Sequence, residues 1–150
     1  MNDDFRDLLH ALLQSGARFL VVGAHAMAVH GVPRATGDLD VWIDSEPANA
    51  ERTWRALLSF GAPVREMGLS QDDLESEDTV VQIGLPPRRI DLLTGVSGLG
   101  FAEAWANRTT CSIGSDSVPF LSREDLIRNK RASGRPKDVA DLDVLERNGE

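Results

Sequence analysis

The chain has one cysteine, Cys111, so it cannot form an internal disulfide, which suits a reducing compartment. The thiol reads as a half-buried strand residue rather than a nucleophile. No apolar run is long enough to span a bilayer, and no basic-then-apolar leader reads as a signal peptide. The expectation is a cytoplasmic protein with no membrane partner. Positive charge is scarce as well: a net charge of −8 over 150 residues argues against general DNA binding, which needs a broad basic footprint. Beyond His25 and His30 no further histidine or cysteine stands at a zinc-like spacing, which argues against a zinc site. Repeats, low-complexity segments and boundary signals are all missing, so residues 1–150 read as a single domain.

The charge is unevenly spread. Residues 1–120 carry nine Lys and Arg against seventeen Asp and Glu, whereas residues 121–150 carry seven of each. Within the second segment, 123–137 holds six cations against Glu124 and Asp125. That stretch is either a solvated helical face or a cationic wall for a triphosphate or an RNA end.

The most informative stretch is Phe19 to Ile43, FLVVGAHAMAVHGVPRATGDLDVWI. An apolar run ends in Gly23-Ala24 and breaks into a short helical pattern to His30. After a turn at Gly31-Val32-Pro33 a second strand-like run carries Asp38 and Asp40. Alternation along a strand puts these two carboxylates on one face, with Leu39, Val41 and Ile43 on the other. If the extended run starts early, Arg34 and Thr36 share the aspartates' face. Two neighbouring carboxylates repel each other, and a hard divalent cation such as Mg²⁺ relieves that repulsion with oxygen ligands. A strand that ends in glycine and opens a helix offers free N–H groups to phosphate.

The rest of the chain supplies the frame. Helical spacing predicts a helix over 3–14, capped by Asn2 or Asp3, and another from Pro47 to about Phe60 with Ala50, Trp54, Leu57 and Leu58 inward. The polar segment 63–78 reads as a loop with one helical turn. The runs 80–85 and 89–93 form a hairpin about Pro86-Pro87. Within it Asp91 is a lone carboxylate in an apolar strand, so it needs a partner, either Arg88 or Arg89 or a shared site. Gly95 to Gly100 reads as a loop beside the site, followed by a short helix from Phe101 to Asn107. A second hairpin joins 108–113 to 118–121. Ser122 then starts a helix that contains Lys130, and Pro136 opens the last one, with Val139, Leu142 and Leu145 inward. His25 either touches a phosphate or bonds a neighbouring backbone group, and His10 reads as exposed. The order of elements predicts an α/β (α+β) domain with one mixed, mostly antiparallel central sheet covered by helices.

The segment Val22-Gly23-Ala24, a spacer, and Asp38-Leu39-Asp40-Val41 resembles the signature of the nucleotidyltransferase superfamily with the DNA-polymerase-β-like core. Ala24 stands where that family usually carries Gly or Ser. The Gly134-Arg135-Pro136-Lys137-Asp138 tail and the small size resemble minimal nucleotidyltransferases of bacterial toxin–antitoxin and abortive-infection systems. The resemblance implies the same fold and an enzyme that moves a nucleoside monophosphate from a nucleoside triphosphate (NTP, ATP among them) to a hydroxyl. It implies two Mg²⁺ ions on Asp38, Asp40 and Asp91, with those three also catalytic. It places Gly23 and Ala24 at the phosphates, Arg34, Thr36 and Lys130 beside them, and Lys137 on a phosphate, with Arg135 and Asp138 in the tail motif. The acceptor would be a protein side chain, a tRNA or other RNA end, or a small molecule, and a cognate toxin or antitoxin would be the protein partner. The alternatives are a non-catalytic antitoxin that keeps the fold and a D-x-D glycosyltransferase, for which the chain is short.

Overall fold

β1, Phe19–Val22, is buried at every position, and it needs no polar face because it lies inside the sheet. The computed structural model describes residues 1–148. In chain order the elements are α1 (Asp3–Gln14), β1, α2 (Gly23–Val29), β2 (Asp38–Ile43), α3 (Pro47–Phe60), α4 (Gln71–Glu75), β3 (Val80–Ile83), β4 (Arg89–Leu93), α5 (Phe101–Ala106), β5 (Thr109–Ile113), β6 (Asp116–Phe120), α6 (Arg123–Ser133) and α7 (Pro136–Asn148). The six strands form one mixed sheet in the order β3-β4-β2-β1-β6-β5.

The sequence neighbours β1/β2, β3/β4 and β5/β6 pair antiparallel, while β2/β4 and β1/β6 pair parallel. This is the expected mixed α/β fold. Its parallel pairings join elements far apart in sequence, and one of them builds the candidate site.

Local chemistry sets the ends of several elements. The Asn2 side chain accepts from the Phe5 N–H to cap α1, and Ser122 accepts from the Asp125 N–H to cap α6. Buried Asn49 on α3 accepts from the Arg18 N–H at 2.7 Å and donates to the Arg18 and Asp44 carbonyls at 3.0 and 2.7 Å. One amide thus ties the start of β1 to the end of β2 and meets the requirement that a buried polar group be bonded. The core gathers Leu8, Phe19, Leu39, Trp42, Leu57, Leu92 and Phe120, all fully or nearly fully enclosed.

Three apolar residues expected inside or in strands lie outside. Leu58 is 39% exposed because the buried stripe of α3 runs through Asn49, Ala50, Thr53, Ala56 and Leu57. Leu85 is 79% exposed because β3 ends at Ile83 before the turn. Val139 is 58% exposed because the inner face of α7 carries Asp138, Asp141 and Leu145. No helix of the described residues is long and apolar enough to cross a membrane.

Candidate active site

The parallel register of β2 and β4 sets Asp38 opposite Arg89 and Asp40 opposite Asp91. Alternation puts these four side chains on one face, three carboxylates and one guanidinium. Asp91 is buried, and Arg89 forks onto it, Nε donating to Oδ1 at 3.0 Å and a terminal N–H donating to Oδ2 at 2.9 Å. The same Nε lies 3.7 Å from Asp38 Oδ1. Arg88, the other candidate partner of Asp91, pairs instead with Asp4 of α1 at 3.1 Å.

Asp40 bears the strain of this clustering. Its carboxyl is pushed up to about 6, first by burial, then by the charges of Asp91 and Asp38, with Arg89 opposing. Gly23 makes the position feasible. Its φ is +69°, and a Cβ there would lie 2.1 Å from Asp40 Oδ2, so only glycine lets β1 turn into α2 against this carboxylate.

Two hollows flank Asp40 and share Gly23, Lys130 and Arg135. The larger, about 560 Å³, runs past Leu93 to the loop at 95–97 and to Asn129 and Ser133 of α6. The loop is held there: Asn129 donates to the Ser97 carbonyl at 3.0 Å, and a Cβ on Gly98 would lie 2.5 Å from the Ala132 Cβ. The smaller, about 150 Å³, is walled by Ala24, Arg34, Thr36, Asp38, Lys137 and Asp141.

The expected continuation of the strand face to Arg34 and Thr36 is corrected. β2 begins at Asp38, and the Thr36 hydroxyl folds back to accept from the Asp38 N–H at 3.1 Å. Arg34 leaves the sheet and pairs with Asp141 on α7. Both still line the smaller hollow.

The basic segment 123–137 is largely answered from within. Lys130 is buried, with Nζ 3.3 Å from Asp138 and 3.1 Å from Asp141. Arg135 Nε donates to Asp138 at 2.8 Å, and the Ser133 hydroxyl donates to the same carboxylate. The Arg135 bond above all holds the Asp138 carboxyl well below the usual carboxylate range, against the effect of burial. Asp138 also accepts from the Arg135 N–H at 3.3 Å, at the start of α7. Arg131 pairs with Glu146 at 2.7 Å, and Arg123 donates to the Leu145 carbonyl at 2.7 Å. Lys137 is exposed, lines the smaller hollow and has no ion-pair partner among the described residues.

Of the residues singled out in the sequence, Gly23, Ala24, Arg34, Thr36, Asp38, Asp40, Lys130 and Lys137 all wall the smaller hollow. Asp91 walls neither hollow, because it lies beside Asp40 under the Arg89 fork. Among the described residues no group of three His, Cys, Asp or Glu side chains is arranged to hold a metal ion. The donors are nevertheless carboxylate oxygens, the type hard divalent cations take. By donor type the trio suits such a cation, although Arg89 already occupies both Asp91 oxygens.

Arg89 is the one of the two arginines expected as partners that pairs with Asp91, whereas Asn129 and Asp141 were missed in the sequence. Asp141 had a signal, three residues after Asp138 on a helix whose inner face the two share. His25 lines neither hollow and does not make the backbone hydrogen bond expected as one of its two roles. Its ring sits edge-on to Phe5 at 5.7 Å, its Nδ1 is buried without a partner, and burial lowers its pKa. His10 is exposed, as expected, and pairs with Asp116 at 2.9 Å.

No protein-family model matches the chain, and no curated protein matches it. Among solved structures it is similar to a Thermotoga maritima protein, TM1012, provisionally named a nucleotidyltransferase. The identity is 17%, the match covers 95% of this chain and 88% of the other, and the TM-score is 0.59. At that identity the likeness is one of fold, the nucleotidyltransferase-like arrangement.

Proposed function

We propose that this chain is a metal-dependent nucleotidyltransferase that moves a nucleoside monophosphate from an NTP to a hydroxyl of a protein, RNA or small-molecule acceptor. The observation that carries the reading is the carboxylate trio on the β2/β4 face, with Asp40 wedged against Gly23 at the junction of two hollows. A fold shared with a protein provisionally named for this activity supports it.

In this reading Asp38, Asp40 and Asp91 hold Mg²⁺. Such a cation would supply charge to offset the phosphates and would make the acceptor hydroxyl easier to deprotonate. The chain's own groups do the rest. The smaller hollow, with Lys137, Arg34 and Arg135 at its walls, suits phosphate oxygens and is too small for a nucleoside. The larger one, with Leu93 and Val96 beside Ser97 and Asn129, has room for a nucleoside or an acceptor. The acceptor oxygen bonds to the α-phosphorus, the bond to the bridging oxygen breaks, and pyrophosphate leaves toward Lys137, the cation of that hollow with no ion-pair partner among the described residues. The hydroxyl proton passes to a carboxylate oxygen of the trio. A toxin–antitoxin-type setting in the cytoplasm belongs to the same proposal and rests on the Arg135-Pro136-Lys137-Asp138 tail.

One observation favours a second reading, a non-catalytic partner-binding protein. Arg89 already neutralises Asp91, and Lys130 is committed to Asp138 and Asp141. Incubation with Mg²⁺ and each α-labelled NTP, with total RNA, cell protein and aminoglycosides as acceptors, separates the two. Label transfer that Asp40→Asn abolishes supports the enzyme. A folded protein that transfers nothing and releases no pyrophosphate supports the partner.

A further inference from the structure

Arg89 is placed where a cation at Asp91 would have to be. Its fork takes both Asp91 oxygens at once, at 3.0 and 2.9 Å, in the paired geometry that makes guanidinium–carboxylate contacts strong. Register puts it directly opposite Asp38, 3.7 Å from Oδ1, so one side chain bridges two of the three carboxylates. The two partners differ in exposure. The Asp91 side chain is 9% exposed, enclosed by β4's own packing, while that of Arg89 is 31% exposed at the first residue of the strand. If the contact is exchanged, Arg89 is the side that moves. Arg88 cannot substitute, because it points to Asp4.

We propose that Arg89 is a tethered counter-cation that competes with the divalent cation for Asp91 and Asp38, and thereby sets how tightly the protein without nucleotide holds that cation. The inference rests on the metal-site reading above. In the cation's absence Arg89 keeps a buried carboxylate paired, avoiding the cost of an isolated charge. When the cation arrives, it must displace a group that cannot be deprotonated near neutral pH. The apparent affinity is lowered by that competition.

Mn²⁺ titration of the full chain without nucleotide, followed by electron paramagnetic resonance and by calorimetry, tests this. Arg89→Met keeps the stem and removes the charge, and it is expected to bind Mn²⁺ about tenfold or more tighter than wild type. Arg89→Lys keeps the charge without the fork and is expected in between, which preserves the test should the Met variant not fold. Without metal, Arg89→Met should melt below wild type, and saturating Mn²⁺ should close the gap. Wild-type binding that Asp40→Asn abolishes, together with equal or weaker binding in both Arg89 variants, overturns the competition and leaves the metal site standing. No Mn²⁺ binding by any folded form overturns both.

Discussion

Asp40 and Asp91 stand opposite each other across the parallel β2/β4 pair, and this neighbour relationship is the central feature of the molecule. Burial and the two flanking carboxylates push the Asp40 carboxyl up to about 6. A fold has nothing to gain from that arrangement by itself, since ionising Asp40 costs more in the folded protein than in water.

Stability should fall as pH rises through the interval between the ordinary aspartate value of 3.8 and about 6. The unfolded chain releases the Asp40 proton at the lower value and the folded chain holds it to the higher one, so folding is penalised above that interval. Asp40→Asn should therefore match wild type near pH 4 and exceed it by roughly 1–3 kcal/mol at pH 7, a difference that levels off above about pH 6.5. Urea unfolding of both proteins across this range checks it, in buffer free of divalent cations. A difference that shrinks with rising pH contradicts it.

Gly23→Ala should disturb Asp40 directly. The added carbon meets Oδ2 at 2.1 Å, and the φ of +69° is unfavourable for any side chain. The expected loss is about 1–3 kcal/mol of stability, with NTP binding lost in the fraction that remains folded. Gly61→Ala, where φ is +91° but nothing lies within 4 Å, separates backbone strain from the clash and should leave NTP binding intact.

Lys130→Met should destabilise by about 3 kcal/mol, because it strips a cation from the buried carboxylates Asp138 and Asp141. Adding Asp141→Leu should recover part of that loss, and a double-mutant cycle in urea measures the coupling. Purely additive effects would mean that the lysine does not hold α7.

Gly98→Ala should act on the larger hollow. The new methyl would fall 2.5 Å from the Ala132 Cβ at a φ of +80°, forcing the loop at 95–97 away from α6. NTP affinity should drop by about tenfold while the melting temperature falls only a few degrees, because the loop carries little of the core. Asn129→Ala, which removes the bond to the Ser97 carbonyl, should weaken binding in the same direction.

Much of this was legible in the residues. The glycine-ended strand, the D-x-D strand, the caps at Asn2 and Ser122 and the Pro86-Pro87 turn all depend on near neighbours, and the structure has them where the pattern put them. The parallel pairing of β2 with β4 was not legible, because periodicity says which residues share a face but not which strand lies alongside. Arg89 therefore looked like one of two equivalent arginines, and only the register sets it opposite Asp38. α7 misled for another reason. Apolar residues are normally assigned inward, yet Val139 faces out because Lys130, Arg34 and Arg135 supply enough positive charge to bury Asp138 and Asp141. Charged residues at helical spacing look alike whether they meet water or a buried lysine.

Binding of each of the four ribonucleoside triphosphates, with and without Mg²⁺, to wild type and to Asp38→Asn/Asp40→Asn tests the central claim most directly. Magnesium-dependent binding of at least one triphosphate is expected, and the double variant should lose it while staying folded. Folded wild type that binds none of the four, or a double variant that binds as well as wild type, would contradict it.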